Sequence, residues 1–266
     1  EILEDAISSG NLEVKRGLRM FGSQTKPLYK VLQYSTDPYI PGITGNSDAS
    51  IELLSQLKIN HTKKLIHLSE EEIKNLVAAI IVKRMGSEAE PEDVLGNIYI
   101  LKDKEEPSPT RDLKEFSTLL NSCGRLNKPS LGIGTCLNDQ KSYDLALNLL
   151  IKYKGELIES LNWFFRNRNS KEVIESQGLT IINAEDNIKD TLIGTVTSMI
   201  SKSNIYQPET ILISLAHTLD NNTKISIRVS GFKSSKVDLK NILETITKKI
   251  GYPTGGHKFA AGSIIP

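Results

Sequence analysis

The sequence predicts an α/β protein, more narrowly α+β, of two lobes joined by a long helix, the second lobe a mixed sheet with flanking helices. Three observations predict it. The stretch SYDLALNLLIKYKGELIESLNWFFRN (142–167) keeps a helical apolar period for about seven turns at about 1.5 Å per residue. After it the pattern changes to short apolar or alternating runs interleaved with two helical ones. Before it the chain reads as helices separated by turn-rich loops, and 266 residues suffice for two compact units.

Taken in order, the first helix carries Ile2, Leu3, Ala6 and Ile7 as a stripe and stops near Gly10. The chain opens without Met on this stripe, as expected for part of a larger protein. LEVKRGLRMFG then alternates loosely, and DPYIPGITGNSD (37–48) is too rich in proline and glycine for a long helix. SDASIELLSQLKI reads as a helix capped by Ser47 or Asp48, with Ile51, Leu53, Leu54 and Leu57 facing inward. LSEEEIKNLVAAIIVKRM is a helix with a capping box, Ser69 and Glu72, acids in its first turn and Lys83 and Arg84 at its end. The polar segments EAEPED and KDKEEPSPT are loops flanking the apolar run VLGNIYIL (94–101). RDLKEFSTLLNSCGR (111–125) is helical, with Phe116, Leu119 and Leu120 on one face and Arg125 after Gly124 at the end.

Beyond the long helix, GLTIINAE (178–185) is strand-like, IKDTLIGTVTSMIS (188–201) helical, ETILISLAHTL (209–219) and KISIRVSG (224–231) strands, and DLKNILETITKKIG (238–251) helical. DNNT (220–223) between the two middle strands is a hairpin loop, so the sheet is at least partly antiparallel.

Composition narrows the chemistry. With 33 basic and 32 acidic side chains the net charge is +1, so any polyanion-binding surface is local. Cys123 and Cys136 are the only cysteines and form no C-x-x-C pair, which indicates neither a zinc site nor a disulfide framework and fits a reducing cytoplasm. No apolar run reaches the roughly 18 residues of a spanning helix, so no membrane partner is expected.

Of four histidines, His61, His67 and His217 read as surface or satisfied side chains, since no tight His and carboxylate cluster surrounds them. His257 differs because it sits in GGHKFAAG (255–262). Gly255 and Gly256 permit positive φ and a close approach, and such a backbone presents N–H groups to an anion, with the imidazole as a further donor. The same glycines would equally serve a tight helix-to-strand turn. In KISIRVSG, Ile225, Ile227 and Val229 occupy one face, which puts Ser226, Arg228 and Ser230 on the other. A strand-borne guanidinium can bind phosphate bidentately, or it can be an exposed strand arginine.

The ordered segments SIRVSG, LKNILETITKKIG and GGHKFAAG resemble the DHHA1 domain of DHH-family phosphoesterases. DPYIPGITG together with RDLKEFSTLLNSCGRLNKPSLGIGTCL resembles the archaeal RecJ-like exonucleases, the GINS-associated nucleases, over nearly the whole chain. The resemblance implies a remnant of the DHH domain at 1–25, a GINS-interacting type of insertion at 26–108, a return to the DHH domain at 109–138, a connecting helix at 139–168 and a DHHA1 nucleic-acid-binding domain at 169–266. It also implies single-stranded DNA or RNA as substrate, with Arg228, Ser230, Gly255, Gly256 and His257 on its phosphates and Arg125, positioned by Asn121, reaching the same cleft from the other lobe.

In that family two divalent metals, Mn²⁺ or Mg²⁺, hydrolyse the phosphodiester. This chain contains no D-H-H triplet and no D-x-D, so the metals are expected outside it, and the chain alone is expected to be inactive. Three readings remain open. They are the binding portion of an exonuclease, a non-catalytic replisome scaffold bridging GINS and the MCM helicase, and an oligonucleotide or cyclic dinucleotide phosphodiesterase, against which the insertion argues. Residues 26–108 could also be a helical subdomain with no partner.

Overall fold

The computed structural model describes every residue except Gln24, Thr36, Asp37, Ala89, Glu106, Pro107, Asn204 and 232–236. The chain divides into two units, Glu1–Met85 with Glu90–Lys154, and Gly86–Ala89 with Gly155–Pro266.

The first unit contains α1 (Ile2–Ser8), β1 (Leu12–Leu18), α2 (Leu28–Gln33), α3 (Ser47–Gln56), α4 (Glu70–Arg84), β2 (Leu95–Leu101), α5 (Leu113–Arg125), α6 (Pro129–Cys136) and the start of α7 (Gln140–Asn167). VLGNIYIL is an antiparallel partner of β1, in register from Leu12↔Leu101 to Leu18↔Leu95. That ladder is the stem from which residues 19–94 emerge. The loop is closed by its own apolar core, in which Leu28, Val31, Leu32, Ile40, Leu54, Leu76 and Ile80 are wholly buried.

α4 has the expected capping box, with Glu72 N–H donating to Ser69 Oγ and Ser69 N–H to Glu72 Oε2. α3 is capped by Asn46 rather than Ser47 or Asp48; its Oδ1 accepts from Ala49 N–H. Asparagine competes well for this position because its side chain reaches back to the free amides of the first turn. The stripe on α1 is turned outward, and no residue of that helix is buried.

The second unit begins within α7 and continues through β3 (Val173–Ser176), β4 (Leu179–Asn183), α8 (Asp190–Ser201), β5 (Ile211–His217), β6 (Thr223–Val229), α9 (Leu239–Lys248), β7 (Thr254–His257) and β8 (Ala260–Ile265). Its six-stranded sheet has the order β3-β4-β5-β6-β8-β7. Among the described residues only β4 and β5 pair in parallel, and α8 is the crossover that a parallel pair requires. β5 and β6 pair antiparallel across DNNT as expected, with Asn221 at φ 56 in the turn.

Because side chains alternate along a strand, the sheet has two distinct faces. On one, Ile225, Ile227 and Ala261 pack under Leu239 and Leu243 of α9. On the other lies α8, whose Thr197 Oγ1 donates to Ser214 Oγ of β5 at 2.7 Å. The face opposite the apolar residues of β6 is therefore covered over β5 and β6. The strand pattern alone suggests an open face, since polar Ser226 and Arg228 stand on it.

Candidate nucleic-acid interface

Arg228 is the best-anchored of the expected site residues. It projects from β6 toward α8, where Nε donates to Ser198 Oγ at 2.7 Å and Nη2 to Gly194 O at 3.3 Å. Nη1 donates to Ile227 O at 2.8 Å and to Ala261 O at 3.4 Å. Gly194 makes this possible. A Cβ there would stand 3.3 Å from both Arg228 Nη2 and Ser226 Oγ, tighter than ordinary contact.

GGHKFAAG is neither a loop nor a helix-to-strand turn. It is a β-hairpin at the sheet edge, β7 and β8 paired from Thr254↔Ser263 to His257↔Ala260 around the two-residue tip Lys258–Phe259. The two glycines of β7 do different work. Gly256 has φ 124, and a Cβ on it would come within 2.3 Å of Ala260 O, so only glycine fits. Gly255 faces open space. The tip is tied down by Leu239 N–H, which donates to Lys258 O at 2.8 Å, while Phe259 N–H donates to His257 Nδ1 at 3.3 Å.

The register brings Arg228 and His257 together. Arg228 pairs with Ala260, and Ala260 with His257, so the three form one lateral row on adjacent strands and share a face. Two strand spacings put the outer backbones about 10 Å apart. Beside this row runs Ser226, Gly262 and Gly255, so the floor of β8 and β7 on that face is made of alanine and glycine. His257 is exposed at its edge.

Next to Arg228 a cavity of about 330 Å³ is lined by Ser198, Ser201, Lys202, Gly231 and Phe259. Lys202 Nζ lies 2.9 Å from Glu88 Oε1, so an anion entering there meets a lysine already engaged by a carboxylate. Sequence reading missed Gly194, Ser198, Lys202 and Phe259. The first three recur at i, i+4 and i+8, a stripe of small residues ending in a lysine along one face of α8, and that spacing was legible.

The remaining candidates are placed otherwise. Ser230 Oγ donates to Gln207 O and accepts from Thr210 N–H at 3.2 Å, so its hydroxyl fastens the segment before β5 to the end of β6. Asn121 and Arg125 lie one turn apart on α5 in the first unit, Asn121 exposed and Arg125 partly buried. His61 meets the Tyr29 ring edge-on at 5.8 Å, and His217 Nδ1 lies 3.3 Å from Asp186 Oδ1. Among the described residues no group of three or more His, Cys, Asp or Glu could hold a metal ion, so the donor set for a divalent pair does not fit here.

Residues 20–97 match the model of the DHH-CID domain, which takes in nearly all of the 19–94 excursion and the first three residues of β2. An uncharacterized protein of Methanocaldococcus jannaschii is 32% identical over 134 residues, which are 50% of this chain and 28% of that relative's length. The crystal structure of CDC45 from Entamoeba histolytica superposes with a TM-score of 0.55 at 11% identity, covering 96% of this chain and 55% of the other. RecJ from Thermus thermophilus, solved in complex with Mn²⁺, aligns over 57% of this chain and 21% of its own at 14% identity, with a TM-score of 0.42.

Proposed function

We propose that this chain, a RecJ-like member of the DHH family, is the substrate-binding portion of a single-strand-specific exonuclease. Its phosphodiester hydrolysis would run on residues and divalent metal, Mn²⁺ or Mg²⁺, outside this chain. The observation that carries the reading is the lateral row of Arg228, Ala260 and His257 beside a floor of glycines. A sugar-phosphate backbone needs close approach without Cβ atoms, which Gly255 provides, and a hydrogen-bond donor at the margin, which His257 provides beside the fixed positive charge of Arg228.

Arg228 acts in this reading from a fixed position. Four protein oxygens hold its guanidinium, so it offers a phosphate a positive charge that needs no further ordering. The exposed Phe259 ring at the hairpin tip offers a stacking platform, worth about 1–3 kcal/mol per base and indifferent to sequence. Asn121 and Arg125 are proposed as a second phosphate-contacting pair on α5. The domain at 20–97 is proposed as the docking element for GINS, with MCM as a further partner in the replisome-scaffold reading.

The test is a titration of the 266-residue chain with a labelled single-stranded oligonucleotide at low and moderate salt, beside His257→Ala and Arg228→Ala. His257→Ala should weaken binding about tenfold, about 1.4 kcal/mol, with an unchanged thermal midpoint because the side chain is exposed. Affinity equal to wild type in both variants would overturn the substrate role. For the whole protein, Mn²⁺-dependent loss of single strands supports the exonuclease, whereas GINS binding without cleavage supports the scaffold.

A further inference from the structure

The first unit holds a second cavity, of about 400 Å³, unrelated to the sheet of the second unit. Three ammonium groups reach it from separate segments: Lys26 before α2, Lys30 on α2 and Lys154 on α7. Phe21, Tyr34 and Leu147 supply apolar wall. Lys154 is 5% exposed, with Nζ donating to Tyr34 O at 3.0 Å and standing 3.7 Å from the centre of the Phe21 ring. Glu115, 1% exposed, accepts from Gly22 N–H through Oε1 at 2.7 Å, while its buried Oε2 has no hydrogen-bond partner.

A buried carboxylate oxygen without a donor costs free energy, and so does a buried ammonium whose company is one carbonyl and the rings of Phe21 and Tyr34. Folds keep such groups where a ligand completes them. The lining carries three positive groups against one negative, so the ligand's own charge is negative. The walls suit a flat ring, and Oε2 suits a ring edge bearing an N–H. The volume accommodates a molecule of mononucleotide size.

We propose that this cavity is a binding site for a small ring-bearing anion of the nucleoside-monophosphate kind, its phosphate or carboxylate held by Lys26, Lys30 and Lys154 and its ring N–H by Glu115 Oε2. The site is distinct from the row on the second unit and does not depend on any strand binding there.

The test is calorimetric titration of the 266-residue chain with AMP, ribose 5-phosphate, inorganic phosphate and benzoate. AMP should bind saturably and at least tenfold more tightly than ribose 5-phosphate or phosphate; benzoate, which has no ring N–H for Glu115, should bind more weakly than AMP, and tighter benzoate binding would overturn the proposal. Leu147→Trp, filling the cavity from its partly exposed wall, should abolish the binding, whereas His257→Ala should leave it intact. Glu115→Gln keeps the acceptor for Gly22 N–H and removes the one for the ligand. It should raise the thermal midpoint while weakening AMP about tenfold, a pairing that a purely structural glutamate would not produce. No saturable AMP binding by the wild type, equal binding of phosphate alone, or undiminished binding by Leu147→Trp would overturn the proposal.

Discussion

Arg228 and Lys154 are both basic side chains withdrawn from water, and the two units treat them differently. Around Arg228 the second unit places Ser198 Oγ and three carbonyl oxygens, and makes room for them with Gly194. Around Lys154 the first unit places one carbonyl and the rings of Phe21 and Tyr34, with Glu115 nearby and half satisfied. A guanidinium stays charged whatever surrounds it and rewards a full set of acceptors; an ammonium can give up its proton instead. Burial brings the Lys154 pKa down to about 7, and burial raises that of Glu115 to about 7. One basic group is held by a full set of acceptors, the other shares its burial with a half-satisfied acid.

The largest expected effect tests the rigidity of the Arg228 side. Gly256→Ala must accommodate φ 124 and a Cβ 2.3 Å from Ala260 O, so it should lose about 2–3 kcal/mol by urea unfolding and detach β7. Gly255→Ala, one residue away and facing open space, should stay within about 0.5 kcal/mol. Equal costs would mean that the hairpin geometry does not hold the row.

Arg228→Met leaves Ser198 and the Gly194 carbonyl without their charged donor and should cost about 2 kcal/mol. Lys154→Met should act in the opposite direction, raising stability by about 1–2 kcal/mol at pH 7, because a hydrophobic side chain replaces a poorly compensated buried charge. If both variants lose stability alike, the contrast fails.

The pH dependence sharpens it further. The Lys154 pKa is lower in the folded state, so its stabilising contribution is complete only above the unfolded value of 10.5 and is lost as pH falls through about 7. The Glu115 pKa is higher in the folded state, so its contribution is complete below 4.5 and is lost as pH rises through about 7. Relative to a Lys154→Met, Glu115→Gln double variant, the wild type should therefore be least stable near pH 7 and recover toward both pH 5 and pH 9. Urea midpoints at the three values check it. Ser198→Ala should cost less than Arg228→Met, about 1 kcal/mol, from one lost acceptor at Arg228.

Much of the architecture was legible from the residues. The Ser69 and Glu72 box, the 28-residue α7 and the order of elements after Gly178 announce themselves through local chemistry and periodicity. β7 and β8 did not, because Gly255, Gly256 and Gly262 carry little strand preference; β8 is a strand through its pairing with β6, and β7 through its pairing with β8. α6 hid for a similar reason, its Gly132 and Gly134 obscuring a helix whose Gly132 lets it close on Cys123 of α5. At the site, Arg228 and His257 were legible as candidates, but their common row was not, since it depends on strand order. Ser198 and Gly194 lie 30 or more positions from Arg228, and Lys154 reads as one more polar residue on a long helix. Burial of that kind is decided by what folds over it.

The ladder of β1 and β2 has a consequence for how this chain can vary. Its last pair, Leu18↔Leu95, brings together two residues with 76 others between them, so the matched domain enters and leaves the first unit through adjacent backbones. A two-residue turn could close the same stem. The 20–97 span has its own core and neighbouring ends, and it is tied to α5 and α7 by Gly22 N–H on Glu115 and Tyr34 O on Lys154. Changes in its outer loops leave the ladder's register in place, whereas changes at 20–34 reach α5 and α7.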